Sequence, residues 1–182
     1  MKKNRTVILD RDGVMIEDYG YVYKIEDLKF INGAIEGLKL LKDFKLIIIT
    51  NQGGIGKGYY TEDDFLKFND YLVNLLRKED IKIEKTYYCK HKPEENCECR
   101  KPKTKNVELA AKEFNIDLEN SYVIGDKPSD IELGNKIGCK TIYVLSGQGE
   151  KYVAELDSNS IPTIIRKNLL EAAKWIKEDL TS

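Results

Sequence analysis

The sequence has a single histidine, His91, and almost no net charge: 30 Lys+Arg stand against 31 Asp+Glu, a formal charge of -1. Each scarcity excludes something. Without a positive surplus there is no general electrostatic grip on nucleic acid, so a phosphate-bearing ligand needs a local basic site. Long apolar runs are missing as well. The longest purely aliphatic stretch is Leu46 to Ile49, far short of the ~20 residues that cross a bilayer. At the N-terminus, Met1-Lys2-Lys3-Asn4-Arg5 is basic, but the apolar run behind it ends at Asp10, too short for the core of a signal peptide. The expectation is a cytoplasmic protein that engages neither membrane nor nucleic acid.

The four cysteines do not suit a disulfide framework. Three of them, Cys89, Cys97 and Cys99, fall within eleven residues beside the only histidine. The order Cys-x-His, five residues, then Cys-x-Cys offers three thiolates and one imidazole. That is a closed tetrahedral Zn²⁺ set with no open position for water, hence a structural zinc. Cys139 reads as a small buried residue. If His91 serves the metal, no histidine remains for a Ser-His-Asp triad or an imidazole base. Hydrolytic chemistry would then run on carboxylates, lysine or a metal ion. The same four ligands also fit a zinc-ribbon-like binding module, a reading that the near-neutral charge opposes.

What is present is a regular alternation of strand and helix signals over 182 residues, enough for one domain spanning 1–182 with a sizeable core. Short apolar runs at 7–9, 45–49, 85–88, 121–124 and 141–144 read as buried strands, with a further short one at 163–165. Helical spacing marks 33–42, 61–78, 105–114, 128–138 and 169–180, and Thr61 with Asp64 resembles a capping box. Residues 14–32 read as a tyrosine-bearing flap or a surface hairpin. The pattern predicts an α/β fold: a Rossmann-like parallel sheet with helices on both faces and right-handed crossovers.

Glycine is concentrated in Gln52-Gly53-Gly54-Ile55-Gly56-Lys57-Gly58. This is not a nucleotide loop. Walker A needs glycine in place of Asn51 and Ser or Thr in place of Gly58, and G-x-G-x-x-G needs glycine in place of Tyr59. The glycines are expected to let the loop approach a ligand closely.

Three strands end alike: Leu9-Asp10, Ile49-Thr50-Asn51 and Gly125-Asp126. In a parallel sheet these ends share one edge, where ligands bind. Asp10 and Asp12 alone also fit an acidic turn after a strand. With Asp126 added, three carboxylates would repel one another unless a cation intervenes. Mg²⁺ suits such a site, taking one or two carboxylates, waters and a phosphate oxygen. Thr50 and Asn51 offer a hydroxyl and an amide to phosphoryl oxygens, and Lys101 or Lys127 can balance charge.

These residues resemble the four ordered motifs of the haloacid dehalogenase superfamily of phosphohydrolases: Asp10-Arg11-Asp12-Gly13, Thr50-Asn51, Arg100-Lys101, and Gly125-Asp126-Lys127 with Asp130. The resemblance implies that Asp10 is the nucleophile, passing through an aspartyl phosphate, and that Asp12 is the acid and base. It places Mg²⁺ on the Asp10 carboxylate, the Asp12 carbonyl and Asp126, and gives Thr50 and Lys101 the transferring phosphoryl group. Only 37 residues separate Asp12 from Thr50, too few for a separate cap domain.

Within the superfamily, Cys-x-His…Cys-x-Cys-Arg-Lys-Pro and Asp18-Tyr19-Gly20-Tyr21-Val22 resemble the heptose bisphosphate phosphatases, whose sister branch is the histidinol phosphatases. The first branch implies a small phosphorylated sugar as substrate, contacted by Asp18, Tyr19, Gly20, Tyr21, Thr50, Asn51, Gln52, Gly53, Arg100, Lys101 and Lys127. Arg100 would meet a second phosphate. Histidinol phosphate is the alternative substrate, and a monomer is expected.

Overall fold

The computed structural model describes residues 3–181, so Met1 and Lys2 of the basic N-terminal stretch, and Ser182, lie outside the described residues. Six strands form one sheet: β1 (Thr6–Leu9), β2 (Lys45–Asn51), β3 (Ile83–Cys89), β4 (Tyr122–Gly125), β5 (Lys140–Val144) and β6 (Ile164–Arg166). All five neighbouring pairs are parallel, in the order β3-β2-β1-β4-β5-β6. From β1 the chain winds first toward one edge and then, through β4, toward the other. The crevice between the carboxyl ends of β1 and β4 is therefore a topological switch point, the place where open α/β sheets bind ligands.

Alternating residues of each strand feed opposite cores. Val7, Leu9, Leu46, Ile48, Ile124 and Val144 join one face with α1 (Ala34–Leu40), α3 (Glu62–Lys78) and α7 (Leu169–Asp179). Ile8, Ile47, Ile49 and Val123 join the other with α4 (Lys105–Phe114) and Leu133 of α5 (Pro128–Lys136). The runs are apolar throughout because both faces are covered. Thr61 caps α3 in a reciprocal box, its Oγ1 accepting from Asp64 N at 3.1 Å while Asp64 Oδ2 accepts from Thr61 N at 2.9 Å.

Two short elements escape the periodicity. Gly53–Gly56 forms α2 and Gly149–Tyr152 forms α6, each a single turn too short to show a repeat. Residues 14–32 are not a hairpin. Val14, Met15 and Ile16 are wholly buried, bridges from Ile16 reach Asp12 and Phe30, and Glu17 N and Ile31 N donate across the segment to Lys29 O at 2.9 Å and Met15 O at 3.1 Å. The tip around Tyr19, Gly20 and Tyr21 is exposed and folds over the strand ends as a flap, and residues 24–27 are exposed as well. No described helix is long and apolar enough to cross a membrane.

Candidate active site

Asp10 follows β1 directly, and its backbone N–H donates to Ile124 O on the neighbouring β4 at 3.0 Å, which fixes its place at the switch point. Its carboxylate faces Lys101, whose Nζ lies 2.9 Å from Asp10 Oδ1, 2.7 Å from Asp130 Oδ1 and 2.7 Å from Ile49 O. An ammonium has three protons, and here each has a partner. Burial alone would push the Asp10 carboxyl up, but Lys101 and Lys127 outweigh it and hold Asp10 below the usual carboxylate range. Burial raises Asp130 in spite of Lys101.

One carboxylate oxygen each from Asp10, Asp126 and Asp130 lies within 4.8 Å of the others. Asp126 is the least satisfied member of this trio. Its Oδ2 accepts from Gln148 N at 2.8 Å, while its Oδ1 is buried with no hydrogen-bond partner and has Lys127 Nζ only at 3.9 Å. Burial, with Asp10 and Asp130 adding like charge, pushes its pKa up to about 8. A buried acceptor without a donor among crowded carboxylates is what a hard cation relieves, so the set fits Mg²⁺.

Asp12 turns its carboxylate away from that trio. Arg11 Nε donates to Oδ1 at 3.0 Å, Arg11 Nη2 to Oδ2 at 2.9 Å, and Gln52 Nε2 to Oδ2 at 2.9 Å. Burial raises the Asp12 pKa and Asp10 adds to this, with Arg11 opposing. A carboxyl whose proton affinity is raised suits acid-base work.

A polar cleft of about 340 Å³ opens above these groups, lined by Asp12, Asp18, Gly20, Tyr21, Asn51, Gln52 and Lys127 together with Tyr60, Gln148 and Tyr152. The flap is pinned across it: Lys127 Nζ donates to Asp18 Oδ2 at 3.2 Å, and Lys57 Nζ to Tyr21 Oη at 3.0 Å. Tyr19 at the flap tip is 63% exposed and lies outside the lining, as do Gly53 and Arg100 and, buried beneath, Asp10, Thr50 and Lys101.

Asn51 and Gln52 line the cleft and also make internal hydrogen bonds. The Asn51 amide pairs with the Lys101 backbone in both directions, at 3.2 and 3.0 Å. The Gln52 amide serves Asp12 and Thr50 with its nitrogen and accepts from Tyr60 Oη at 2.6 Å. Because Thr50 Oγ1 accepts from Gln52, its own proton is free for an anionic oxygen. Gly53, Gly54 and Gly56 of the loop admit close approach by neighbouring protein groups. A Cβ on Gly54 would stand 2.2 Å from Tyr60, one on Gly56 2.8 Å from Lys92 N, and one on Gly53 3.2 Å from Arg100 Nη1.

The cysteine loop leaves β3 with its ligand atoms already assembled. Cys89, His91, Cys97 and Cys99 present atoms within 4.8 Å of one another, with sulfurs 3.4 and 3.5 Å apart and no disulfide between them. Burial raises Cys89 to about 12; Cys97, against the pull of burial, is drawn down to about 7 by its hydrogen bonds with Cys89 and Cys99. Four converging soft donors fit Zn²⁺.

Comparison with known proteins follows the same lines. Residues 98–172 match a family model described as HAD-hydrolase-like. Over 181 residues, 96% of this chain and 98% of the relative, the sequence is 42% identical to a D-glycero-beta-D-manno-heptose-1,7-bisphosphate 7-phosphatase of Helicobacter pylori strain J99. The chain belongs to the heptose bisphosphate phosphatase family. This phosphatase is also 44% identical, over 146 residues, to the D-glycero-alpha-D-manno-heptose-1,7-bisphosphate 7-phosphatase of Campylobacter jejuni, covering 79% of this chain and 84% of that one. Its fold superposes on the D,D-heptose 1,7-bisphosphate phosphatase of B. bronchiseptica, solved with magnesium and phosphate, with a TM-score of 0.89 at 24% identity over 96% and 99% of the two chains.

Sequence reasoning gave no role to Arg11, Tyr60, Gln148 or Tyr152 and assigned none to Asp130 beyond its motif. Asp130 carried a signal, four residues past Asp126 in the first turn of α5, where its Oδ2 accepts from Lys127 N at 3.1 Å. Gln148 and Tyr152 carried none, because α6 is one turn long.

Proposed function

We propose that this phosphatase removes the C7 phosphate of D-glycero-D-manno-heptose 1,7-bisphosphate through an aspartyl phosphate on Asp10. The observation that carries the reaction is the Asp10 carboxylate, kept ionised by Lys101 at the switch point beside the raised carboxyl of Asp12. Full-length similarity to relatives that bear this name supports the substrate.

Asp10 attacks phosphorus; the ester oxygen leaves with a proton from Asp12. Water then attacks the aspartyl phosphate, gives a proton to Asp12, and frees Asp10. Thr50 donates its hydroxyl proton to a phosphoryl oxygen, and Lys101 supplies positive charge next to the nucleophile. Asp10, Asp126 and the Asp12 carbonyl would hold Mg²⁺, with Asp130 beside them. The ion, when bound, supplies positive charge against the phosphoryl oxygens. The cysteine loop holds Zn²⁺ in this reading and braces Arg100, whose Nη1 lies 3.4 Å from His91 O, to meet the second phosphate.

Asp10→Asn should abolish turnover with the fold intact, and EDTA should stop the wild type until Mg²⁺ returns. Heptose 1,7-bisphosphate should be preferred over the 7-monophosphate by roughly ten- to a hundred-fold, the scale of one charge-assisted contact, and Arg100→Ala should erase most of that preference. Near-wild-type turnover by Asp10→Asn would sink the mechanism. A higher kcat/KM on histidinol phosphate would overturn the substrate and leave the mechanism standing.

A further inference from the structure

Arg11 is the largest of the fully buried side chains among the described residues, with 0% exposure. A charge so placed needs partners. It has them on one edge only. Nε and Nη2 clasp the Asp12 carboxylate at 3.0 and 2.9 Å, and Nη2 also reaches Val22 O at 2.8 Å and Gln52 Oε1 at 3.4 Å. Its Cζ lies over two aromatic rings, 4.7 Å from the Phe68 centroid and 5.5 Å from that of Phe65. Nη1 has no hydrogen-bond partner. A guanidinium held by two rings of α3, with Val22 O and Gln52 on the same side as Asp12, is fixed in place against that carboxylate.

That neighbour is thereby fixed too. Arg11 and Gln52 hold Asp12 from the protein side, and Gln52 is itself tied to Thr50 and Tyr60. Asp12 lines the cleft, with its side chain 16% exposed. The edge turned to the cleft is where a proton can be exchanged. We propose that Arg11 is a positioning residue: held over Phe65 and Phe68, its planar fork fixes the Asp12 carboxyl at the cleft so that it faces the leaving oxygen. The inference rests on Asp12 being the general acid. The proton passes from Asp12 to that oxygen as the P–O bond to it breaks and the bond from Asp10 forms. Lysine cannot replace the fork, since it is a point charge without two coplanar donors.

Leaving groups separate this role from a merely structural one. In kcat/KM only the step up to release of the first product is read, and nitrophenolate leaves without a proton, whereas an alkoxide does not. Wild type, Asp12→Asn, Arg11→Lys and Phe68→Leu are assayed on p-nitrophenyl phosphate and on heptose bisphosphate. Asp12→Asn should lose on the order of 10²–10⁴ on the sugar ester and within about threefold on the nitrophenyl ester. Arg11→Lys should lose about ten- to a hundred-fold on the sugar ester, again sparing the nitrophenyl ester. Phe68→Leu, which keeps an apolar core residue, should show the same split in weaker form and decides the matter should Arg11→Lys fail to fold. Equal losses on both esters by Asp12→Asn would overturn the general-acid reading. If Asp12→Asn shows the split while Arg11→Lys or, in its place, Phe68→Leu loses equally on both esters or on neither, the positioning role of Arg11 is overturned alone.

Discussion

Gly13 shows how little room the reaction centre leaves at the scale of one residue. Its φ is +85°, and a Cβ there would stand 2.0 Å from Asp126 Oδ2. Gly147, at φ +60°, would put a Cβ 2.1 Å from the Gly13 Cα. The loops that follow β1 and β5 thus close on Asp126 through backbone, and Ser146 Oγ donates to Gly13 O at 2.8 Å across the same gap. Gly13→Ala is expected to cost about 1 kcal/mol or more for the left-handed backbone alone, with the clash added, and to displace Asp126. A lowered Tm together with a weaker Mg²⁺ requirement curve in activity assays checks it; an alanine variant with unchanged Tm and Mg²⁺ response contradicts it. The acidic residues of the site were readable from their place after strands. What the amides of Asn51 and Gln52 touch was not, because an amide donates and accepts equally well toward ligand or protein.

Among the elements, the cysteine loop is the one with a dedicated support. Asn106 of α4 donates to Cys99 O at 3.2 Å, Gln52 N to Cys89 O at 2.7 Å, and Lys101 follows within two residues of Cys99. If the loop holds zinc as proposed, Cys97→Ser should lower the zinc content found by elemental analysis and raise KM for the proposed bisphosphate more than it lowers kcat on p-nitrophenyl phosphate. A variant that keeps its metal and its KM would show that the loop does not brace the cleft. Helix α7 is clasped differently: Asp179 Oδ2 accepts from Tyr122 Oη at 2.6 Å, and Lys140 Nζ lies 2.7 and 2.6 Å from the two carboxylate oxygens. Burial opposes the charge on Asp179, but Lys140 and Tyr122 prevail and its pKa is lowered. The stabilisation is therefore present above the ordinary value of 3.8 and is lost as pH falls through the lowered one. Asp179→Asn should cost about 1 kcal/mol or less near neutrality, since Lys140 is half exposed and screened. Thermal melts should show the gap to wild type closing only below the ordinary carboxylate pKa; a gap that widens in acid would refute the clasp.

For the whole molecule, one sheet serves two cores, so neither core stands without the other. Leu9 and Ile8 are neighbours in β1 yet face opposite sides, as do Ile47 and Ile48 in β2. Calorimetry should give a single cooperative transition for the full chain. Ile48→Ala on one face and Ile47→Ala on the other should each cost about 2–5 kcal/mol and lower the same transition. Two separate transitions would split the chain into domains and contradict a single unit over 1–182.

The sequence by itself determined the alternation of elements, because apolar runs covered on both faces and helices of two turns or more leave a periodic record. It also brought Asp10, Asp126 and Lys101 to one edge and the cysteines to one loop, since parallel strands bring every carboxyl end together and a cysteine loop needs only short-range spacing; that Asp130 completes the carboxylate trio while Asp12 turns to Arg11 came from the fold. Only the tertiary structure decided the remainder. Segment 14–32 buries Val14, Met15 and Ile16, the glycine loop packs on Tyr60 and the cysteine loop, and Arg11 turns inward onto Phe65 and Phe68 to hold Asp12. Those contacts join residues whose pairing depends on how the helices and loops dock. Side-chain spacing along a strand or a helix carries no trace of that docking.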